Sequence, residues 1–362
     1  MIQWFLTLKS KRLILLVQVL VVACMLYVGL RENIPSENQV HISPKNGALV
    51  FGELGLAYSK QHLNAQSITQ LNQEGFEIQL DFLPLNNHSN SFQFLLLITN
   101  GNPNQQLLIA QYGDQIVAMN GDDYNYSRKL PRLRLPLEEE VGYQKLVLKV
   151  SDKFSQMTLN DVTKVSRKGK LMQLPSAQVG VRLLLSSSEY IENNWLGEIS
   201  TLTIKSMTNL GAKPLISFTA SSQSESQSEL DSWLFIPQKL SLLKHRVLEA
   251  TSFRVNSVNT LHDMLINFFG FIPFGVLTAL LLTKVPLAFQ RSIHSGLLVV
   301  FITFLCAFLL SFIIEYWQAW LVTRHSSLRD LSLNALGGAV GAVFLVVLIR
   351  LEYLIEEKRK NG

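Results

Sequence analysis

Hydrophobic and polar positions divide the chain into two textures. Four runs, 13–30, 264–283, 297–314 and 331–349, are almost wholly apolar. At about 1.5 Å of rise per residue each is long enough as a helix to cross a bilayer. The stretch from about 45 to 210 alternates instead. FEIQLDF (76–82) places Phe76, Ile78, Leu80 and Phe82 on one face and Glu77, Gln79 and Asp81 on the other, the period of two that marks a half-buried strand. SFQFLLLI (91–98) repeats the pattern with Phe92, Phe94, Leu96 and Ile98, and further strands are expected at 106–112, 115–119, 145–150, 178–185 and 200–206. Turn-forming pairs at Gly113-Asp114, Asn120-Gly121 and Asn160-Asp161 separate several of them. Many short strands with polar turns predict an antiparallel β-sandwich, and the apolar runs predict a four-helix transmembrane bundle.

Two segments link these parts. SSQSESQSE (221–229) has no core-forming residue and reads as a flexible linker. In 237–250, Leu240, Leu243, Val247 and Leu248 recur at helical spacing. That predicts a short helix, either at the membrane interface or packed on the sandwich. The expected organisation is an N-terminal tail (1–12), a first transmembrane helix (13–30), the sandwich (45–210), a linker and juxtamembrane segment (211–262), three further membrane helices (263–350) and a tail (351–362). The first run competes with a signal peptide, but no small-residue cleavage site follows it. VVAC (21–24) loosely matches a lipid-attachment motif, yet the apolar run continues through MLYVGL beyond Cys24. An uncleaved anchor is the expectation.

Composition changes the picture in three ways. The chain is 48% hydrophobic and only 16% charged, more apolar than a soluble domain of this length. Its net charge is +5, but the excess Lys and Arg sit beside apolar runs and form no stripe interleaved with aromatics. This excludes nucleic acid as a partner and points to the positive-inside rule. Lys9, Lys11 and Arg12, then Lys284 and Arg291, then Arg350, Lys358, Arg359 and Lys360 place both termini in the cytoplasm and residues 31–262 outside it, in a multi-pass protein of the bacterial cytoplasmic membrane. Cys24 and Cys306 both lie in apolar runs, so the sandwich has no structural disulfide. No metal-type Cys/His spacing occurs, and neither a metal nor another cofactor is expected.

In that topology Arg324 and Arg329 fall outside, against the rule, among a set of polar residues at the outer helix ends. Asp263 and Asn267 share a helix face, as do Glu315 and Gln318, and Asp330 and Asn334. Gly337 and Gly341 continue the last face and, with Gly275, allow close helix approach. Pro273 is expected to kink the second helix. Ionisable groups near membrane depth are costly and face partners or a water-filled cavity. Asp263, Asn267, Glu315, Gln318, Arg324, Asp330 and Asn334 are therefore a candidate polar pocket, with interhelical pairing as the competing account.

DMLINFFGFIPFG (263–275), SFIIEYWQAW (311–320) and TRHSSLRDLSLNALGGAVG (323–341) resemble the VanZ-like family in order and spacing, over about 231–350. FGELGLAYS (51–59), FEIQLDFLP (76–84) and WLGEISTLTI (195–204) resemble concanavalin A-like and laminin-G-like jelly rolls. The resemblances imply a cell-envelope protein linked to glycopeptide resistance or to exopolysaccharide and cell-wall processes. Its partners would be the lipid bilayer, a polysaccharide or peptidoglycan bound by the lectin-like domain, or an envelope protein. The alternative is a membrane enzyme acting on a lipid-linked sugar or phospholipid at the outer leaflet. There Glu315 or Asp263 would act as general base, and Arg324 would hold a phosphate. A transporter component is disfavoured by four helices without internal repeats.

Overall fold

The computed structural model describes residues 11–31, 37–85, 91–137, 142–208, 214–221, 233–251, 258–283 and 293–361. The linker expected at 221–229 lies outside them from residue 222 on, as do Lys9, Lys284 and Arg291. The chain divides into two compact units: residues 36–244, and residues 1–35 with 245–362.

The first unit is an antiparallel β-sandwich. One sheet runs in the order β1 (Val40–Ile42), β2 (Leu49–Phe51), β13 (Gly197–Ser206), β4 (Phe76–Pro84), β9 (Gln144–Val150), β10 (Phe154–Leu159), β11 (Thr163–Lys168), with β14 (Ile216–Thr219) also on β13. The other runs β15 (Leu234–Phe235), β3 (Ala57–Ser59), β12 (Arg182–Leu185), β5 (Phe92–Thr99), β6 (Leu107–Tyr112), β7 (Gln115–Asn120), β8 (Arg132–Pro136). The alternation at 76–82 becomes the central strand β4. Phe76, Ile78, Leu80 and Phe82 are fully buried between the sheets, and Glu77, Gln79 and Asp81 face partly outward. Trp195 ties the layers together. Its ring packs near Phe51 and Phe82 of the first sheet, and its indole N–H donates to Gln111 Oε1 of the second at 2.8 Å.

Sequence expectation and structure differ in several places. The strands extend on both sides of 45–210, because β1, β14 and β15 complete the sheets. The strand expected at 178–185 is ordered only from Arg182. A helix absent from the expectation, Ala65–Glu74 (α2), is capped by Asn64, whose side-chain oxygen accepts from the Ser67 N–H. It lays Ile68 and Leu71 into the sandwich core. The helix expected over 237–250 does not form. Its backbone bonds go elsewhere: Gln238 C=O accepts from Asn38 N–H, Glu249 N–H donates to Ser326 C=O, and Leu248 adopts a φ of +55° that no α-helix contains. At the ends of the sandwich, Asn38 forms a clasp. Its side-chain amide donates to Pro237 C=O and Leu56 C=O, both at 2.8 Å, and Glu37 bridges Lys239.

The second unit is helical: α1 (Lys11–Leu30), α3 (Val258–Gly270), α4 (Ile272–Thr283), α5 (Ile293–Gln318) and α6 (Leu328–Asn361). Among the described residues four spans are long and apolar enough to cross a membrane, with α3 and α4 together making one of them. Pro273 sits in the first turn of α4, where its missing N–H costs nothing, and the helix breaks at Phe271 just before it. The burial pattern is inverted relative to a water-soluble bundle. Leu297, Phe301, Leu309, Phe344 and Val347 are exposed, whereas Thr303, Ser311, Glu315 and Asn334 are buried. Apolar surface faces outward at no cost only in lipid, and polar groups must then satisfy each other inside. Close approach of helices is built on glycine. A Cβ on Gly275 would strike the Gly338 carbonyl, one on Gly337 the Phe268 carbonyl, and one on Gly341 the Ile272 carbonyl.

Candidate functional site

Within the helical unit the polar residues separate into groups. Glu315, 2% exposed, accepts the Ser327 N–H on Oε2 at 2.7 Å. Ser327 precedes α6, and its hydroxyl accepts from the Asp330 N–H at 3.4 Å and shares a 2.6 Å hydrogen bond with Thr251. Asp330 is thus the carboxylate in the first helical turn, where the N-terminal dipole favours it, and Arg329 pairs with it at 3.3 Å. One α-turn deeper, the Asn334 amide donates to Ser311 Oγ at 2.9 Å, while its own Oδ1 is buried without a donor.

Gln318 and Arg324 have a different task. Gln318 Nε2 donates to Gly29 C=O at 2.8 Å, and Arg324 donates to Val28 C=O and to Arg31 C=O, both at 3.1 Å. These are the orphan carbonyls at the end of α1, where a cation also complements the helix dipole. These bonds give a structural role to the arginine that the expected topology leaves unexplained. Asp263 remains exposed on α3 and Asn267 is half-buried. Among the described residues no group of three or more His, Cys, Asp or Glu could hold a metal ion.

Ser326 and Ser327 were not singled out from the sequence, yet they join Glu315 to residues 248–251. Leu248 N–H donates to Ser326 Oγ at 2.9 Å. The signal was present as Ser-x-x-Asp (327–330) ahead of an apolar run, a capping pattern. His245 lies against Trp320, with ring centroids 4.0 Å apart and the planes tilted by 36°.

Within the sandwich, an open groove of about 710 Å³ lies between α2 and residues 176–178. Gln66, Thr69, Gln70 and Gln73 line one wall, Ser176 and Gln178 the other. The first four recur at helical spacing, so they share the face of α2 opposite Ile68 and Leu71. The lining offers amide and hydroxyl donors and acceptors and no ionisable group. This helix face was not legible as a site, because its amides look like any solvated helix surface.

Residues 206–350 match the VanZ/LLP1 family model. Among solved structures, the chain is similar to the CBM40 domain of the Ruminococcus gnavus IT-sialidase bound to alpha2,3 sialyllactose, at 13% identity over 42% of this chain and 89% of that one, with a TM-score of 0.30. It is also similar to domain 4 of AbnA, a GH43 extracellular arabinanase from Geobacillus stearothermophilus in complex with arabinotriose, at 11% identity over 52% of this chain and 79% of that one, with a TM-score of 0.33. No curated protein matches the chain.

Proposed function

We propose that this is a membrane-anchored saccharide-binding protein of the cell envelope, in which the β-sandwich recognises the ligand and the helical unit holds it at the membrane. The observation that carries this reading is the groove beside α2. Its walls of Gln66, Gln70, Gln73, Gln178 and Ser176 present neutral donors and acceptors together, the chemistry that matches a hydroxyl-rich, uncharged ligand. The topology proposed from the charge pattern puts residues 31–262, and so the groove, on the extracytoplasmic side, with Lys11 and Arg12 at one cytoplasmic end and Lys358, Arg359 and Lys360 at the other.

The helical unit supports an anchoring role. Arg324 spends its guanidinium on the carbonyls of α1, and the Glu315 carboxylate receives a backbone N–H. A phosphate-holding cation and a general base would need to be available to substrate. These two are engaged in joining chain segments 12 to 296 residues apart.

The test is calorimetry on the full chain in nanodiscs, with neutral cell-wall and exopolysaccharide oligosaccharides as ligands. Binding weakened at least fivefold by the double change Gln70→Ala and Gln73→Ala, with unfolding temperature unchanged, is the expected result. Wild-type protein that binds no neutral oligosaccharide, or a double variant that binds equally well, would overturn the reading.

A further inference from the structure

The groove of the sandwich does not end in neutral surface. Its second wall belongs to a segment that passes α2 from Lys170 through Leu174 to Gln178. Asn72 pins that segment: its side chain donates to Leu174 C=O at 3.0 Å and accepts the Leu174 N–H at 2.9 Å. Beside Gln73, the Lys170 ammonium donates to the Asn72 carbonyl. That carbonyl belongs to the last turn of α2, where a cation complements the helix dipole. The end of α2 also abuts the β9–β10 turn. A Cβ on Gly75 would lie 2.7 Å from the Val150 carbonyl oxygen and 3.3 Å from Ser151 Cα.

Past Gln73 the surface is basic. From Gln144 to Lys170, through β9, β10 and β11, the chain carries seven Lys or Arg against two Asp. Lys145 is committed to Asp161 at 3.0 Å and Lys149 to Glu77 at 3.2 Å, and Lys170 lies 4.0 Å from Asp152. Lys153, Lys164, Arg167 and Lys168 are exposed, and their side chains have no ion-pair or hydrogen-bond partner among the described residues. Glu74, the acid at the end of α2, accepts from Gln70 and Ser206.

The backbone sets these cations in a row. Lys164, Ser166 and Lys168 alternate onto the outward side of β11, since Val165 between them packs on the core. Lys168 pairs with Phe154, and the Lys153 carbonyl accepts the Gly169 N–H at 2.8 Å, so Lys153 and Lys168 are neighbours. At about 3.3 Å per residue, Lys164 and Lys168 stand about 13 Å apart. That is too far for one anionic group and suits a ligand that repeats its charge. Lysines on an edge strand also deter edge-to-edge pairing, but that role asks nothing of Lys153, which lies in the β9–β10 turn. A lipid surface would be met with exposed apolar side chains as well. Among the described residues from 144 to 170 the only large exposed hydrophobic is Val162, in the turn at the other end of β11.

We propose that the groove takes an uncharged stretch of a linear envelope polymer, and that Lys153, Lys164, Arg167 and Lys168 hold the anionic groups, phosphodiester or carboxylate, that the polymer bears outside the groove. The inference rests on the groove as the saccharide site and names the ligand class more closely, as a polyanion. Ammonium groups on flexible stems act as point charges, which follow repeated anions without demanding one geometry. Exposed charges of this kind are screened by salt.

The test is calorimetry on the full chain in nanodiscs of zwitterionic lipid, with a poly(glycerol phosphate) oligomer, oligogalacturonate and the neutral oligosaccharides as probes. The expected result is that at least one anionic probe binds and that added salt weakens it. Lys153→Gln with Lys168→Gln should weaken it at least tenfold, and Lys153→Arg with Lys168→Arg should retain it. Which anionic probe binds tells phosphodiester from carboxylate. An unchanged unfolding temperature and a single gel-filtration peak show that the Gln variant is folded and not aggregated. Binding of neither anionic probe, or equal binding by the Gln variant, overturns the proposal. Sedimentation with vesicles containing anionic lipid covers the other surface. Vesicle binding that the Gln variant loses, with no binding of either soluble polyanion, overturns the proposal in favour of a membrane contact. The groove is judged apart from this, by the neutral oligosaccharides and the Gln70/Gln73 double variant, since the lysine changes should leave neutral binding untouched.

Discussion

Replacing Gly341 by alanine is a direct test of how the helical unit holds together. The added Cβ would strike the Ile272 carbonyl oxygen and lie 3.0 Å from the Val276 nitrogen and 3.2 Å from the Gly275 Cα. All three are backbone atoms of the α4 segment, so no rotamer change relieves the clash and the two helices must separate. Overpacking of this kind costs about 1–3 kcal/mol. Helix propensity works the other way, because alanine in a helix interior is favoured over glycine by about 0.5–1 kcal/mol. At mid-range the net loss is about 1 kcal/mol, or roughly 2–4 °C in unfolding temperature for a unit of this size. Gly296→Ala is the internal control. Its Cβ meets only Val346 Cγ1, at 2.9 Å, a single side-chain methyl rather than backbone, so the strain is smaller and stability should fall less than in Gly341→Ala. Half-buried Cys306 packs beside Phe271 and Phe274. In a Cys24→Ser background, its labelling by a thiol-reactive dye on heating reports unfolding. Gly337→Ala pushes α6 against α3 instead, at the Phe268 carbonyl in the other half of the same span; because one displacement of α6 can relieve both clashes, the Gly337/Gly341 pair should cost less than the sum of the single changes. A Gly341→Ala protein as stable as Gly296→Ala would refute the argument from backbone contact.

Two further outcomes are expected. Glu315→Gln keeps an oxygen for the Ser327 N–H and should unfold near the wild-type temperature, whereas Glu315→Leu orphans that buried donor and should lose about 1–3 kcal/mol; equal stability of the two would count against the carboxylate's role as a cap. In the sandwich, burial and the 2.5 Å hydrogen bond to Glu198 push the Tyr143 phenol up to about 12. Its folded value lies above the unfolded value of about 10, so the associated stability is complete below pH 10 and falls away as pH rises towards 12; a late step in phenolate absorbance that survives Tyr143→Phe would contradict this.

The sequence announced some parts of this molecule and concealed others for physical reasons. The four spans were legible because length and apolarity alone define them. β4 was legible because one of its faces is buried and the other is not. β5 is buried at every position from Phe92 to Thr99, and Tyr124 of the β7–β8 loop covers it at Phe92 and Phe94, with ring centroids 5.5 and 5.6 Å away. β11, TKVSRK, is a polar edge strand paired on one side, with no periodic apolar signal to find. At 237–250 the leucines had helical spacing, but long-range partners claimed the backbone. The polar residues of the bundle were legible as unusual, not as to purpose. Arg324 reads as an anomaly until it meets carbonyls 293 and 296 residues earlier in the chain.

The Asn38 clasp bears on how the chain assembles. α1 ends at Leu30, and the helix it packs against, α4, begins only at Ile272. Bringing such distant segments together as an open, flexible ring would carry an entropic penalty on the order of 5 kcal/mol. Once the sandwich has folded, Asn38 and Gln238 are hydrogen-bonded neighbours, and the ring that remains consists of segments 31–37 and 239–271 alone. For the membrane helices the sandwich is then a knot of zero length in the contour. It can be synthesised, enlarged or exchanged without altering the distance over which α1 must wait for and find its partner.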